Sequence, residues 1–125
     1  MNVVLWVLAA LLAAVFLAAG AMKLTQSKEK LAANPSMAWS EKFPPGVIKM
    51  IGALEVLAAI GLILPAALEI VPVLVPLAAV GLVLMMIGAA VTHARRREYQ
   101  PVVINLVLLA LAASVAWGRF GPYAF

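Results

Sequence analysis

Five side chains combine a polar or ionisable group with a place in, or at the edge of, an apolar run: Lys23, Glu55, Thr92, His93 and Asn105. Glu55 is the outlier. It follows Gly46 by about nine residues, which in a helix rising 1.5 Å per residue is about 13 Å, close to mid-bilayer. A carboxylate at such depth costs about 2.5–3.5 kcal/mol on insertion scales. It can escape by taking a proton or by pairing with a cation. Lys23, at the end of the preceding apolar run, is the nearest candidate. Lys49 is the second, but it lies about 120° around the same helix and can snorkel to the headgroups instead. A Lys23–Glu55 pair reads either as a structural clasp that fixes helix register or as the lining of a ligand or proton site. His93 carries an imidazole that can pass protons, although capping a helix C-terminus is its more ordinary role. Asn105 is expected to hydrogen-bond across helices. Arg95, Arg96 and Arg97 read as a topology anchor against anionic lipid headgroups, with Trp39 as an anchor in the earlier loop.

Other chemistries are excluded by inventory. The chain has no cysteine, so thiol relays and thiolate metal ligation are closed to it. One histidine, five glutamates and no aspartate make a poor ligand set for a first-row metal, and no metal site is expected. Bis-histidine haem ligation within one chain is ruled out. No phosphate-binding glycine loop, nucleophile elbow or zinc-binding His-Glu motif occurs. The net charge of +4 does not point to nucleic acid, because the basic residues flank apolar runs, where topology and lipid headgroups account for them.

The elements that must carry these residues follow from composition. Hydrophobic residues make up 66% of the 125 and charged residues 11%, against roughly 45–50% and about 25% in soluble domains. A globule this small cannot hide so much apolar surface, so lipid is the solvent. Lipid cannot satisfy open strand edges, which leaves helix. Four helices are expected, over about 3–23, 46–64, 70–92 and 101–118, lengths close to the roughly 20 residues that span a bilayer. The fold class is therefore all-α, a single transmembrane domain folded as a four-helix bundle, with an amphipathic loop over 25–45 along the headgroups. The first segment lacks a basic leader and is read as a retained helix rather than a signal peptide.

Proline punctuates the joints. Pro44-Pro45-Gly46 starts the second helix, Pro65 closes it, and the short turn beyond makes helices two and three antiparallel neighbours. Pro72 and Pro76 fall in the first two turns of the third helix, where Pro76 is expected to bend it. Helical spacing gives four bundle-facing stripes rich in small residues. They are Ala9, Ala13, Phe16, Gly20 and Lys23; then Gly52, Glu55, Ala59 and Leu62; then Gly81, Met85, Gly88 and Thr92; and last Asn105, Leu109, Ala112 and Ala116.

Eight of the nine basic residues lie in or beside the two loops on one face, and Arg119 alone on the other. Short basic loops stay cytoplasmic, so the expectation is a multi-pass protein of the cell membrane with both termini on the non-cytoplasmic side. Trp6, Trp117, Phe120, Tyr123 and Phe125 would mark the outer interface, and Trp39, Phe43 and Tyr99 the inner one.

Three segments carry a family resemblance: Phe16 to Leu24 closing helix one, Gly52-Ala53-Leu54-Glu55 running on to Gly61–Pro65 in helix two, and Gly88 to His93 closing helix three. Together they resemble the DoxX-like family. The resemblance implies a compact four-helix membrane bundle with Lys23, Glu55 and His93 at family signature positions. It also implies a role as an accessory subunit of a quinol-oxidising or other membrane redox complex, or as a membrane-protein assembly factor. The family does not imply one activity. The leading expectation is an accessory or scaffold subunit without chemistry of its own and without an intrinsic cofactor. Its partners would be membrane lipids and other membrane subunits or a second copy. The alternative is a quinone- or lipid-binding oxidoreductase component, using Lys23, Glu55, Thr92, His93 and Asn105 to hold a polar headgroup. A small proton-coupled transporter built on Glu55 is the third.

Overall fold

The computed structural model describes residues 2–33 and 43–125. They form helices α1 (Asn2–Thr25), α2 (Lys28–Ala33), α3 (Pro45–Ala67), α4 (Leu74–Arg95) and α5 (Tyr99–Phe120). The four long ones run 22 to 24 residues, about 33–36 Å of helix. All four are long and apolar enough to cross a membrane, so the all-α membrane bundle holds. Helix α1 packs chiefly on α3 and α4 on α5, and α3–α4 and α1–α5 contacts close the ring.

The core is small and narrow. Ala9, Leu12 and Phe16 of α1 meet Ala59 and Leu62 of α3, Ala79, Leu82 and Met86 of α4, and Ala112 and Val115 of α5. Large apolar side chains such as Leu11, Leu57, Ile60, Leu84 and Val107 remain on the outside. That is the pattern expected where lipid is no more polar than the core. Gly20 and Gly52 allow a close approach between α1 and α3. A Cβ at Gly20 would lie 2.6 Å from the Gly52 carbonyl oxygen.

Several joints differ from expectation. Helix α3 does not stop at Pro65 but runs to Ala67. Pro65 forgoes the bond its N–H would make to the Gly61 carbonyl, yet the helix continues, and Ile70 N–H donates to the Pro65 carbonyl at 2.9 Å while Glu69 N–H donates to Ala66. This is a Schellman cap with Glu69, at φ 56°, in the left-handed position usually given to glycine. Helix α4 starts at Leu74, not 70, so Pro72 precedes it and Pro76 sits in its first turn, where no bend is required. Helix α5 takes up Tyr99 at one end and Phe120 at the other. The stretch expected to lie along the headgroups folds inward at its start. Ser27 Oγ accepts from Lys30 N–H at 3.2 Å as the cap of α2, and Leu31 is buried against Ile48, Met22 and Phe43. Trp39 and the rest of 34–42 lie outside the described residues.

Candidate functional site

Lys23 ends the buried face of α1, and Glu55 sits on the buried face of α3, one turn beyond Gly52. The Gly20–Gly52 approach draws the two helices together at this level. Lys23 Nζ and Glu55 Oε1 are consequently 2.8 Å apart, both nearly fully buried. Among the described residues Oε1 has no well-directed hydrogen-bond partner beyond this ion pair. Lys49 is half-buried. Its ammonium donates to the carbonyls of Leu24 (2.8 Å) and Gln26 (3.1 Å), tying α3 to the exposed C-terminus of α1.

The opposite wall comes from α4 and α5. Asn105 is buried in the second turn of α5, and its Nδ2 has no partner among the described residues. Expected to bridge helices, the amide does not do so on its nitrogen side. His93 is buried in the last turn of α4 and Thr92 is half-buried beside it. The Thr92 hydroxyl donates to the Gly88 carbonyl at 2.9 Å, which leaves its oxygen as an acceptor. These groups, with Phe16, Phe43, Met85 and Met86, line one cavity of about 400 Å³. All five residues singled out in the sequence, Lys23, Glu55, Thr92, His93 and Asn105, are on its wall.

The end of α4 is organised by a residue the sequence reading passed over. Arg97 adopts φ 57°, and Arg97 N–H and Glu98 N–H donate to the carbonyls of Ala94 and His93, a second Schellman cap. The turn swings the Glu98 carboxylate back over α4, where Oε1 lies 3.0 Å from His93 Nδ1 and accepts from Arg96 Nε at 3.0 Å. The His93 hydrogen bond holds the Glu98 carboxyl below its ordinary value of 4.5, and Arg96 adds to the effect. His93 is thus oriented by a carboxylate rather than serving only as a helix cap. Of the three arginines expected as headgroup anchors, Arg95 and Arg97 are exposed, while Arg96 is partly committed to Glu98. A charged residue directly after a basic helix end is the signal that could have revealed Glu98.

Among the described residues no three His, Cys, Asp or Glu side chains converge on a metal-sized site. The cavity can do something else. It offers an ammonium and an amide as donors and a carboxylate and a hydroxyl as acceptors at one end, with phenylalanine, methionine and small apolar residues over the rest. That is the profile of a site for a molecule with a polar head and an apolar body.

The sequence profile of the DoxX-like family matches residues 7–115. The chain belongs to the DoxX-like family. No curated protein and no solved structure matches it significantly. The matched span takes in every residue of the DoxX-like protein's polar cavity wall, from Val15 to Leu108, and ends before Arg119.

Proposed function

We propose that this DoxX-like protein is a membrane-embedded accessory subunit, without redox chemistry of its own, that holds the polar head of a quinone or lipid for a larger membrane redox complex. The observation that carries the reading is the Asn105 amide. It is buried on the wall of a cavity of about 400 Å³, and its Nδ2 has no partner among the described residues. A buried donor left unmade costs about 1–3 kcal/mol, a cost that a ligand carbonyl oxygen removes. Lys23 is a second donor to the same head, and Glu55 accepts from a hydroxyl. An accessory role fits a chain with so little mass outside its helices and no thiols. The loops at the cavity end hold nearly all the lysines and arginines, which supports a cytoplasmic placement in the cell membrane with both termini outside.

Native mass spectrometry after extraction in mild detergent tests the reading. Wild type should carry a quinone or lipid that Asn105→Leu carries about ten-fold less, as expected for one lost hydrogen bond of about 1.4 kcal/mol. The variant should be at least as stable as wild type. Equal occupancy in both proteins would contradict the reading. A second reading, the pair as a clasp in a pure scaffold, is favoured by the Gly20–Gly52 contact beside it. It predicts no bound molecule in either protein.

A further inference from the structure

The far end of the bundle holds another buried charge. Arg119, in the last turn of α5, is only 5% exposed. Its Nη1 donates to Asn2 Oδ1 (2.6 Å) and to the Tyr123 carbonyl (2.9 Å), and Nη2 reaches the Asn2 carbonyl at 3.4 Å. The Phe125 ring lies 4.0 Å from the guanidinium carbon and the Trp6 ring 5.9 Å. Every one of these partners is neutral. No carboxylate forms a salt bridge with Arg119 among the described residues. Glu69, the acidic residue of the α3–α4 turn at the same end, is exposed.

A guanidinium has five N–H donors in a fixed fork. Asn2 and Tyr123 engage three, which leaves Nε–H and one Nη2–H. Adjacent donors of this kind grip a phosphate or carboxylate with two parallel bonds. Arg119 also lines a cavity of about 340 Å³, with Pro72 and Val73 on one side and Phe120 and Phe125 on the other. Trp6 packs edge-on to Phe125 and Trp117 to Tyr123, an aromatic cluster of the sort that sits at headgroup level. A buried, uncompensated cation at that level, opening onto a headgroup-sized space, is matched to the phosphate of a lipid.

We propose that Arg119 and this cavity bind the phosphate of an anionic phospholipid in the leaflet opposite the Lys23–Glu55 cavity. The site rests on residues separate from that cavity and stands or falls independently of it.

The test uses the full-length protein in lipid-free detergent, with thermal unfolding as readout. Dioctanoyl phosphatidylglycerol should raise Tm saturably, and dioctanoyl glycerol, which lacks the phosphate, should not. Sodium phosphate at equal concentration should neither stabilise nor compete. A matching shift with sodium phosphate would overturn the lipid as the source of the anion, and equal shifts from the two lipids would overturn the site altogether. Arg119→Gln should weaken phosphatidylglycerol at least about ten-fold. Because Arg119 also ties α1 to α5, Arg119→Lys serves as the second variant. It keeps the charge, loses the fork and should bind several-fold more weakly. Wild-type affinity in folded Arg119→Lys contradicts the proposal.

Discussion

The losses caused by removing Lys23 and Glu55 one at a time should sum to well over the loss caused by removing both together. Lys23→Met leaves a buried carboxylate whose Oε1 has no other well-directed hydrogen-bond partner among the described residues, and Glu55→Gln leaves a buried ammonium. Breaking such a pair in a soluble protein costs about 3–5 kcal/mol, whereas polar contacts inside membranes average about 0.6 and reach about 1.7 kcal/mol. The 2.8 Å separation and burial of both side chains push toward the upper range. The lower range is favoured by two routes of relief: Lys23, in the last turn of α1, can snorkel, and Glu55 can take a proton. Each single variant is expected to lose about 2.5 kcal/mol and the double about 3, a coupling of about 2 kcal/mol, or roughly thirty-fold in the folding equilibrium. Reversible unfolding of the four proteins by dodecyl sulfate in bicelles, followed by helical circular dichroism, measures the cycle. Losses that add to within about 0.5 kcal/mol would refute the coupling.

Four further outcomes are expected. Gly20→Ala places a methyl 2.6 Å from the Gly52 carbonyl and 2.7 Å from Val56 Cγ2, and should destabilise by about 1–3 kcal/mol. Gly81→Ala meets nothing within 4 Å and should stabilise by about 0.5–1 kcal/mol; the same bicelle unfolding decides both. Glu98 titrates below its ordinary 4.5, so its contribution is intact above that pH and is lost as the pH falls through the lowered value. Glu98→Gln should therefore flatten part of the acid-side fall in stability, and superimposable acid profiles would sink the assignment. Single cysteines at Ser27 and Ala124, labelled in intact cells with an impermeant maleimide, should react at Ala124 only; the reverse would invert the proposed orientation.

The four spans were legible because each is an unbroken apolar run of bilayer length. The inward faces of α1, α3 and α5 were legible too, because Lys23, Glu55 and Asn105 are polar groups that lipid penalises and therefore mark the interior. Helix α4 shows where the argument weakens. Small residues pointed to Gly81, Met85, Gly88 and Thr92, yet the buried face is Ala79, Leu82, Met86 and His93; Met85, Gly88 and Thr92 border the cavity instead, and Gly81 is exposed. In lipid, apolarity does not distinguish inside from outside, and small size alone is a poor guide to a face. The Schellman caps escaped notice because Glu69 and Arg97 hold positions where glycine is the usual signal. The burial of Arg119 escaped because a charge count registers a cation's end of the bundle but not whether its side chain turns inward.

The central claim is that the cavity between α1, α3, α4 and α5 takes up the polar head of an amphipathic molecule. Photolabelling tests it most directly. A short-chain quinone carrying a diazirine beside the ring is irradiated with the reconstituted protein, and the adducts are mapped by tandem mass spectrometry. Labels on cavity-wall residues such as Phe16, Met86 and Leu108, competed by unlabelled quinone and lost in Asn105→Leu, are the result predicted. Labels confined to outward residues such as Leu57 and Leu84, indifferent to competitor and variant, would contradict it.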